Sequence, residues 1–488
     1  MTAVAEEDGQ AGAAPRDAGG WAALADRQER AGQAGEALRS WSRAVELAPG
    51  DAALVWRRAK ALQAIGRAEE GRVWLRRAAV LAPERFEPLF DLARAAKDAG
   101  DAAEAEAVCA QLLARYPGSP AVAWLDARLA LDRGDGTGAL ERLPAELVAR
   151  CPNPQQRAEL LLLRGEAFDA LARPAEAFAA AAAGKALQRA AFAGRAAERE
   201  PEVERLRRLA AWFAKADASP WRAPPPDGAP GPARAHVFLV GFPRSGTTLL
   251  EQALAGHPDV VALEEAATFA PHYAAFLADA PGFERLAALS PEEAEHWRAR
   301  YWDEVRAAGA DPRGKVFVDK APAGTLYLPL VARLFPKAKV LFAQRDPRDV
   351  VLSCFRHNFQ MNAMTYAFTD LAETAACYDA CMALDRIYRL LLPVDRRDVR
   401  HEALVADFAG ELGGVLDFLG LKAGATETDV GAVARRRTVR TPSASQVRAG
   451  LNARGVGRWR AYAEALAPVL PVLEPWVEAL GYPPFSTV

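Results

Sequence analysis

The sequence is poor in cysteine and contains no long apolar run. Its 488 residues include five cysteines. So small and odd a number does not make a disulfide framework, and we expect a reduced, cytoplasmic protein. No stretch of about 18 uncharged apolar residues occurs, so no membrane span is predicted. The first residues, MTAVAEEDGQAGAAPRD, lack the apolar segment of a secretion signal, and we expect residues 1–16 to be a disordered leader.

A surplus of charge of either sign is also missing. The chain has 61 Lys and Arg residues against 63 Asp and Glu residues, a net charge of -2. A protein that coats nucleic acid would be basic, so no nucleic-acid partner is predicted. With 51% hydrophobic and 25% charged residues, the chain is not disordered as a whole. At roughly 100–200 residues per domain, its length predicts two to four domains.

An internal repeat of 34 residues occupies the first part of the chain. Its markers are glycines and prolines at constant spacing: Gly32, Gly66, Gly100, Gly134, Pro49, Pro83 and Pro117. The spacing predicts a helix, a turn at the glycine, a second helix and a proline that ends it. A helical bundle with glycines at chance positions is the alternative, and two independent markers with one period argue against it.

This pattern resembles tetratricopeptide repeats, four of them clear and a fifth shifted by about four residues. The resemblance assigns residues 17–217 to an all-helical repeat domain. It implies a superhelix whose concave face binds a protein or peptide. The sequence predicts neither the identity of that partner nor the oligomeric state.

A change of composition separates this region from the rest of the chain. Residues 218–235 contain six prolines and two glycines, which predicts a linker with neither helix nor strand. Beyond it, the runs VFLV, VFVD and KVLFAQ are typical of buried strands, and helical stretches lie between them. This alternation predicts an α/β domain with a parallel sheet over residues 236–488. The predicted fold is therefore multidomain, with an all-α repeat superhelix followed by a P-loop-like α/β domain.

The segment VFLVGFPRSGTTLLEQ has the strand, loop and helix order of a phosphate-binding loop. Gly241 and Gly246 keep the glycine spacing of a P-loop, which lets backbone N–H groups face an anion at a helix N-terminus. Arg244 adds a planar cation. Thr247 and Thr248 stand where a nucleotide triphosphatase has Lys and Ser or Thr, so ordinary ATP or GTP hydrolysis is not expected. A glycine-rich turn that binds nothing is the alternative.

The longer string PRSGTTLLEQALAGHPDVVALEE resembles sulfotransferases that use 3′-phosphoadenosine 5′-phosphosulfate (PAPS). It is most similar to the tyrosylprotein sulfotransferases and to bacterial proteins that join tetratricopeptide repeats to a sulfotransferase. The resemblance covers separated motifs within residues 236–460. It implies that PAPS is the co-substrate and that its 5′-phosphosulfate binds a run of adjacent residues: Arg244, Ser245, Gly246, Thr247 and Thr248.

Two further motifs resemble the family's remaining phosphate contacts. In VLFAQRDPRDVVLSCF, Arg345 and Ser353 match the pair that binds the 3′-phosphate of PAPS. In TPSASQVRAGLNARGVGRWRAY, Ser443 and Arg458 match residues of a segment that folds over the cofactor. Without the resemblance, Arg345 would be read as one half of a structural ion pair, and the second segment as a solvated basic loop.

Candidate catalytic residues follow two of the apolar runs. By resemblance, Glu265 of the pair Glu264-Glu265 is the general base that takes the proton of the acceptor hydroxyl. Lys320 and Arg244 would stabilise charge on the transferred group, so no metal is required. Surface carboxylates and a surface lysine are the alternative readings of these positions.

The sequence departs from the tyrosylprotein enzymes at two places. Ala266 and Ala267 stand where those enzymes have Thr-Arg, whose Arg reads acidic residues around the target tyrosine. His401-Glu402 replaces a Tyr-Glu pair near the cofactor.

Three hypotheses remain at this point. The first is a PAPS-dependent sulfotransferase whose repeats recruit a protein acceptor, with tyrosine as the target. The second is a sulfotransferase of carbohydrates or small molecules, and the third is a non-enzymatic repeat scaffold with an inactive sulfotransferase-like domain.

Overall fold

A computed structural model describes the protein in six segments: residues 15–222, 231–422, 424, 426–436, 450–453 and 455–485. Most of the expected leader (1–14), the middle of the expected linker (223–230) and Ser443 lie outside the described residues. The chain divides into two compact units, Met1–Leu147 and Val148–Val488.

The first unit consists of consecutive helices. They are α1 (Ala18–Arg30), α2 (Ala34–Leu47), α3 (Ala52–Ala64), α4 (Ala68–Leu81), α5 (Phe86–Ala99), α6 (Ala102–Arg115), α7 (Pro120–Asp132) and α8 (Gly136–Arg142), while α9 (Ala145–Arg150) crosses into the second unit. Helices α1, α3, α5 and α7 begin at residues 18, 52, 86 and 120, and their partners begin at 34, 68, 102 and 136. Both series have a step of 34 residues, so the predicted helical repeat is confirmed.

The repeated glycines have a conformational reason. Gly32, Gly66, Gly100 and Gly134 each follow the first helix of a pair with φ between 75° and 86°. This left-handed conformation costs glycine nothing and strains other residues. Gly71 of α4 lies where two helices approach closely. A Cβ on Gly71 would lie 3.0 Å from the Ala59 carbonyl oxygen of α3, so a small residue is needed there.

Within the described residues, no helix combines the length and apolar character that a membrane span requires.

The second unit begins with helices and continues as an alternation of strands and helices. Its elements are α10 (Pro154–Ala170), α11 (Pro174–Ala197), α12 (Glu202–Phe213), α13 (Ser219–Arg222), β1 (Ala235–Gly241), α14 (Thr247–Ala255), β2 (Val260–Glu264), α15 (Ala270–Phe276), α16 (Ala280–Ala287), α17 (Pro291–Ala307), β3 (Val316–Lys320), α18 (Leu328–Leu334), β4 (Lys339–Gln344), α19 (Pro347–Arg356), α20 (Ala363–Ala367), α21 (Leu371–Leu391), β5 (Asp395–Arg400), α22 (His401–Ala406), α23 (Phe408–Leu419) and α24 (Val430–Arg436). Two short helices, Ala463–Leu466 and Leu470–Ala479, lie near the end.

All five strands pair in parallel, in the order β2-β3-β1-β4-β5. The predicted α/β fold with a parallel sheet is therefore confirmed. The chain passes from β1 to one side of the sheet and returns past it to β4, so the order reverses between β1 and β4. In open α/β sheets, ligands bind beyond the carboxyl ends of the strands at such a reversal.

Apolar runs in the sequence predict the inner strands but not the edge strand β5. β1, β3 and β4 are almost wholly buried, because helices cover both faces of the sheet. β5 has the sequence DRRDVR and is mostly exposed or half-buried, as an edge strand can be. Its pairing with β4 through six residues is invisible to a search for apolar runs.

Helices α11 and α12 share the core of the sheet-containing unit, although the sequence places them in the repeat domain. Leu206, Leu209 and Phe213 of α12 belong to one buried cluster with Phe238 of β1. On α11, Lys185 is 1% exposed and donates to the His357 carbonyl at 2.6 Å. The end of the repeats at residue 217 stays a prediction from the sequence. The packing of the chain instead places the boundary between its two compact units after residue 147.

The expectation of a linker without helix is wrong for its first residues. Residues Ser219–Arg222 form α13, and Trp221 is 2% exposed. The Trp221 ring lies 5.4 Å from that of Phe213, centroid to centroid. A large aromatic side chain between the prolines gives this stretch a buried anchor, which a count of prolines misses.

This packing predicts how the chain can be shortened. A chain that begins at residue 148 should fold and unfold cooperatively. A chain that begins at residue 218 should aggregate, because it loses the apolar face of α12. Circular dichroism, size-exclusion chromatography and urea unfolding of the two fragments measure this. Equal stability of both fragments would contradict the shared core.

Candidate active site

The loop after β1 presents a helix N-terminus at the point where the strand order reverses. It turns at Phe242, whose carbonyl accepts from the Ser245 N–H at 3.1 Å, and α14 starts after Gly246, which has φ of 98°. Arg244 has φ of 71°, a strained value for a residue with a side chain. A Cβ on Gly241 would lie 2.7 Å from the Ala343 carbonyl oxygen, so β4 tolerates only glycine there.

Two arginines from neighbouring strand ends meet in this loop. Arg345, just after β4, donates from Nη1 to the Arg244 carbonyl at 3.0 Å. The Arg244 Nε donates to the Ser353 hydroxyl on α19 at 2.9 Å. Burial, and to a smaller extent the nearby charge of Arg345, lower the pKa of Arg244 to about 10. The two sequence motifs predicted to bind the 5′-phosphosulfate and the 3′-phosphate of PAPS are thus in contact.

Arg345 also contacts the segment that precedes the last helices. Its Nη2 donates to the Gly455 carbonyl. Asp349, in the first turn of α19, accepts from the N–H groups of Gly457 and Trp459 at 2.7 and 2.8 Å. Burial raises the pKa of Asp349 to about 6, against the opposing effect of Arg345. This contact holds residues 455–459 over the end of β4.

Several features of this region suit a bound anion. The Arg345 Nε and the His401 Nδ1 are buried, and neither has a hydrogen-bond partner among the residues that the structure describes. His401 follows β5, and a Cβ on Gly246 would lie 2.7 Å from its Nδ1. Burial lowers the pKa of His401 to about 3, so its imidazole is neutral near pH 7 and can donate from one nitrogen. A phosphate or sulfate would satisfy the unpaired donors and separate the two guanidinium charges.

The carboxyl ends of β2 and β3 carry a second cluster, built around a lysine. The Lys320 Nζ lies 2.7 Å from Glu265, 3.5 Å from Glu264 and 3.6 Å from Glu251 on α14. Lys320 is completely buried, while the Glu265 side chain is 41% exposed. The sheet register explains the meeting, because Glu264 pairs with Lys320 across the strands.

Glu265 has a strained backbone. Its φ is 47°, and its N–H donates to the Lys320 carbonyl at 2.8 Å. Among the described residues, only Ala172, Arg244 and Glu265 have a left-handed φ without being glycine. Such strain concentrates at functional sites, and here it turns the carboxylate back towards Lys320.

The comparisons with known proteins agree with this location. Residues 236–424 match the model of the Sulfotransferase family. The chain carries a sulfotransferase-family domain. This stretch contains the loop of Arg244, the pair Glu264-Glu265, Lys320 and Arg345. Sulfuryl transfer is the chemistry that the family name describes.

Individual relatives are more distant. An uncharacterised protein of Aquifex aeolicus (strain VF5) is 27% identical over 259 residues, which cover 52% of this chain and 34% of that protein. Protein-tyrosine sulfotransferase 2 of Gallus gallus is 28% identical over 198 residues, covering 38% of this chain and 51% of that protein. The chain thus matches about a third and a half of the length of these relatives. The sulfotransferase domain of the Synechococcus PCC 7002 olefin synthase is 23% identical over 49% of this chain and 90% of its own, with a TM-score of 0.33, too low to carry an argument.

One residue expected at the cofactor has another partner within the second unit. The Arg458 guanidinium forms an ion pair with Asp169 of α10. Arg356 lies 2.9 Å from the same carboxylate, and the Tyr462 hydroxyl donates to it. Burial alone would raise the pKa of the Asp169 carboxyl. The contacts with Arg356, Arg458 and Tyr462 have a larger effect in the other direction, so the pKa is lowered. Arg458 thus connects the segment after residue 455 to α10.

Sequence reasoning missed the acidic partners of the site. Glu251 lies inside the first quoted motif, and Asp349 and Asp169 hold the segment around Arg458. Glu251 and Asp169 have no local signal, because an acid on an ordinary helix is indistinguishable from a solvated one until its neighbours are known. Only the position of Asp349, four residues after Arg345, gives a hint.

The Asp169 contacts predict a measurable coupling. Asp169→Asn and Arg356→Ala should each lower the free energy of unfolding by about 1.5–3 kcal/mol, and the double variant should lose less than the sum. Because the pKa of Asp169 is lowered, its contribution should be present above the ordinary carboxyl pKa and disappear as the pH falls through the lowered value.

Urea unfolding at pH 7 and at lower pH measures this coupling. Arg306→Ala removes an exposed ion pair with Asp303 and serves as the control, with an expected effect within about 0.5 kcal/mol. Additive effects of Asp169→Asn and Arg356→Ala would contradict a shared contact.

Proposed function

We propose that this protein transfers the sulfuryl group of PAPS to an acceptor hydroxyl, with a protein tyrosine as the leading acceptor. One observation carries the proposal: a pair of buried arginines and a carboxylate–lysine pair lie at the same edge of one parallel sheet. The two arginines could bind the anionic groups of PAPS, the sulfuryl donor. The carboxylate could remove the proton of an alcohol or a phenol. The family match to residues 236–424 supports sulfuryl transfer as the reaction.

The donor would be held at both of its charged ends. The 5′-phosphosulfate would lie at the N-terminus of α14, against the backbone from Ser245 to Thr248 and the Arg244 side chain. The 3′-phosphate would lie at Arg345 and Ser353. The contact between Arg345 and the Arg244 carbonyl fixes the spacing of these two positions. Arg458 and Ser443 are the remaining residues expected to contact the phosphates of PAPS. Arg458 would do so from the segment that Asp349 and Asp169 hold in place.

The chain's own residues supply the proton transfer and the charge stabilisation. Glu265 would accept the proton of the acceptor hydroxyl as its oxygen bonds to sulfur, a contribution typically of ~10²–10⁴-fold. The bond from sulfur to the bridging oxygen of the donor breaks, and adenosine 3′,5′-bisphosphate leaves. Lys320 and Arg244 would stabilise the charge that grows on the sulfonate and bridging oxygens. No metal takes part in this scheme.

The first unit would recruit the acceptor protein. Its helix pairs repeat with a constant step, and arrays of this kind bind peptides or proteins on a concave face. The five cysteines are free and buried, which supports a reducing, cytoplasmic setting.

The general-base role predicts a selective loss of catalysis. Glu265→Gln should lower kcat by at least about 100-fold and leave the affinity for adenosine 3′,5′-bisphosphate within about twofold. Glu264→Gln is the matched control, because it removes the neighbouring carboxylate contact to Lys320. Transfer of labelled sulfate from PAPS and calorimetric binding measure the two quantities. Equal loss of binding and turnover would contradict the role of Glu265.

The 3′-phosphate site predicts a ligand-dependent loss of affinity. Arg345→Ala should weaken binding of adenosine 3′,5′-bisphosphate about 10–100-fold, since a charge-assisted hydrogen bond contributes about 1.5–3 kcal/mol. Binding of adenosine 5′-phosphosulfate, which lacks the 3′-phosphate, should change much less. Arg313→Ala, on an exposed ion pair, is the calorimetric control. No binding of either nucleotide to the unmodified protein would overturn the proposed function.

A further inference from the structure

The three carboxylates around Lys320 differ in their access to solvent. The Glu265 side chain is 41% exposed and that of Glu264 is 13% exposed, whereas Glu251 is completely buried, like Lys320 itself. Water screens an exposed charge strongly and a buried charge weakly. The ion pair between Glu251 and the Lys320 Nζ, at 3.6 Å, is therefore the one that solvent weakens least.

Proton transfer to Glu265 would change the charge balance around Lys320. Glu265 is the nearest of the three carboxylates, 2.7 Å from the Lys320 Nζ. When the O–H bond of the acceptor breaks and its proton passes to Glu265, that carboxylate becomes neutral. At the same moment Lys320 must keep its charge, because negative charge grows on the sulfonate and bridging oxygens. A buried ammonium that loses its counter-ion is costly, so the reaction calls for a second carboxylate whose charge stays constant.

Glu251 lies where such a carboxylate is required. It belongs to α14, the helix whose N-terminus is proposed to bind the 5′-phosphosulfate, and it follows Thr247 by one turn. Its Oε1 accepts from the side chain of Gln252 at 3.4 Å, and Gln252 is 1% exposed. The Glu251 carboxylate thus joins the end of β3 to the donor helix in a part of the unit that has almost no exposed surface.

We propose that Glu251 is a positioning residue for the sulfuryl transfer. Its buried carboxylate holds the Lys320 ammonium in place and balances the ammonium charge while Glu265 carries the acceptor proton. Glu251 acts through Lys320 and does not touch the donor or the acceptor. Glu264 contributes less, because its partial exposure weakens the effect of its charge. The inference rests on the proposed function and adds to it a residue that the sequence did not indicate.

Two substitutions separate charge from packing at this position. Glu251→Gln keeps the size of the side chain and removes its charge, whereas Glu251→Asp keeps the charge and removes one methylene group. The full-length protein is assayed with labelled PAPS and N-acetyltyrosinamide, a neutral tyrosine probe. We expect kcat to fall at least about tenfold in Glu251→Gln and less in Glu251→Asp, with the affinity for adenosine 3′,5′-bisphosphate within about threefold in both. A packing role would reverse the order of the two variants.

Two further variants serve as comparisons in the same assay. Glu264→Gln removes a partly exposed carboxylate that lies 3.5 Å from the Lys320 Nζ, and it should lower kcat at most about threefold. Glu284→Gln removes an exposed carboxylate on α16 and should leave kcat unchanged.

Thermal unfolding measures the same ion pair without an acceptor. Glu251→Gln should lower the thermal midpoint of the full-length protein by at least about 3 °C, because it leaves the buried Lys320 ammonium poorly balanced. In a Lys320→Met background the ammonium is absent, so the same substitution should lower the midpoint by less than half as much. Differential scanning calorimetry of the four proteins provides both values.

The outcomes separate this inference from the proposed function. An unchanged kcat in Glu251→Gln, or equal effects of that substitution on the midpoint in both backgrounds, overturns the inference while sulfuryl transfer stands. A parallel loss of kcat and nucleotide affinity also overturns it, because Glu251 would then act on the donor site. Binding of adenosine 3′,5′-bisphosphate without sulfation of N-acetyltyrosinamide by the unmodified protein overturns it as well. Failure to bind that nucleotide overturns the proposed function itself.

Discussion

The hydrogen bond from Arg345 to the Arg244 carbonyl is the contact on which the rest of the site depends. It joins the loop after β1 to the end of β4, the two strands between which the sheet order reverses. Through Arg244 it reaches Ser353, and through the other Arg345 nitrogen it reaches Gly455. Two guanidinium groups are thereby held close together with little solvent. Two like charges at close range repel each other, and this repulsion supports the proposal that an anion binds between them.

The same sheet edge carries two separate charged clusters, one of arginines and one of carboxylates around a lysine. Arg244 and Arg345 lie after β1 and β4. Glu264 and Lys320 end β2 and β3, and Glu265 follows β2. Lys320 is completely buried beside three carboxylates, which balance its charge. The Glu265 side chain is partly exposed, so it remains within reach of an incoming hydroxyl. Strand order therefore brings the proposed anion site and the proposed proton acceptor to the same edge of the sheet.

Sequence patterns predicted what depends on local chemistry. The 34-residue step, the glycine loop and the residues after β1, β3 and β4 all follow from spacing, φ preference or apolar runs. β5 was not predictable in this way, because an edge strand needs no apolar face. The acids Glu251, Asp349 and Asp169 were not predictable either, since their role comes from residues far away in sequence. The anchoring of α13 through Trp221 shows the same limit, because a single buried ring outweighs a proline-rich composition.

The position of α10–α12 changes how the two halves of the chain relate to function. Their sequence reads as more repeat, yet Asp169 of α10 holds Arg458, and Lys185 of α11 supports the carbonyl that follows α19. Ser353 lies on that same helix, four residues before His357. The helices that end the repeat series thus stabilise the segments proposed to surround the donor.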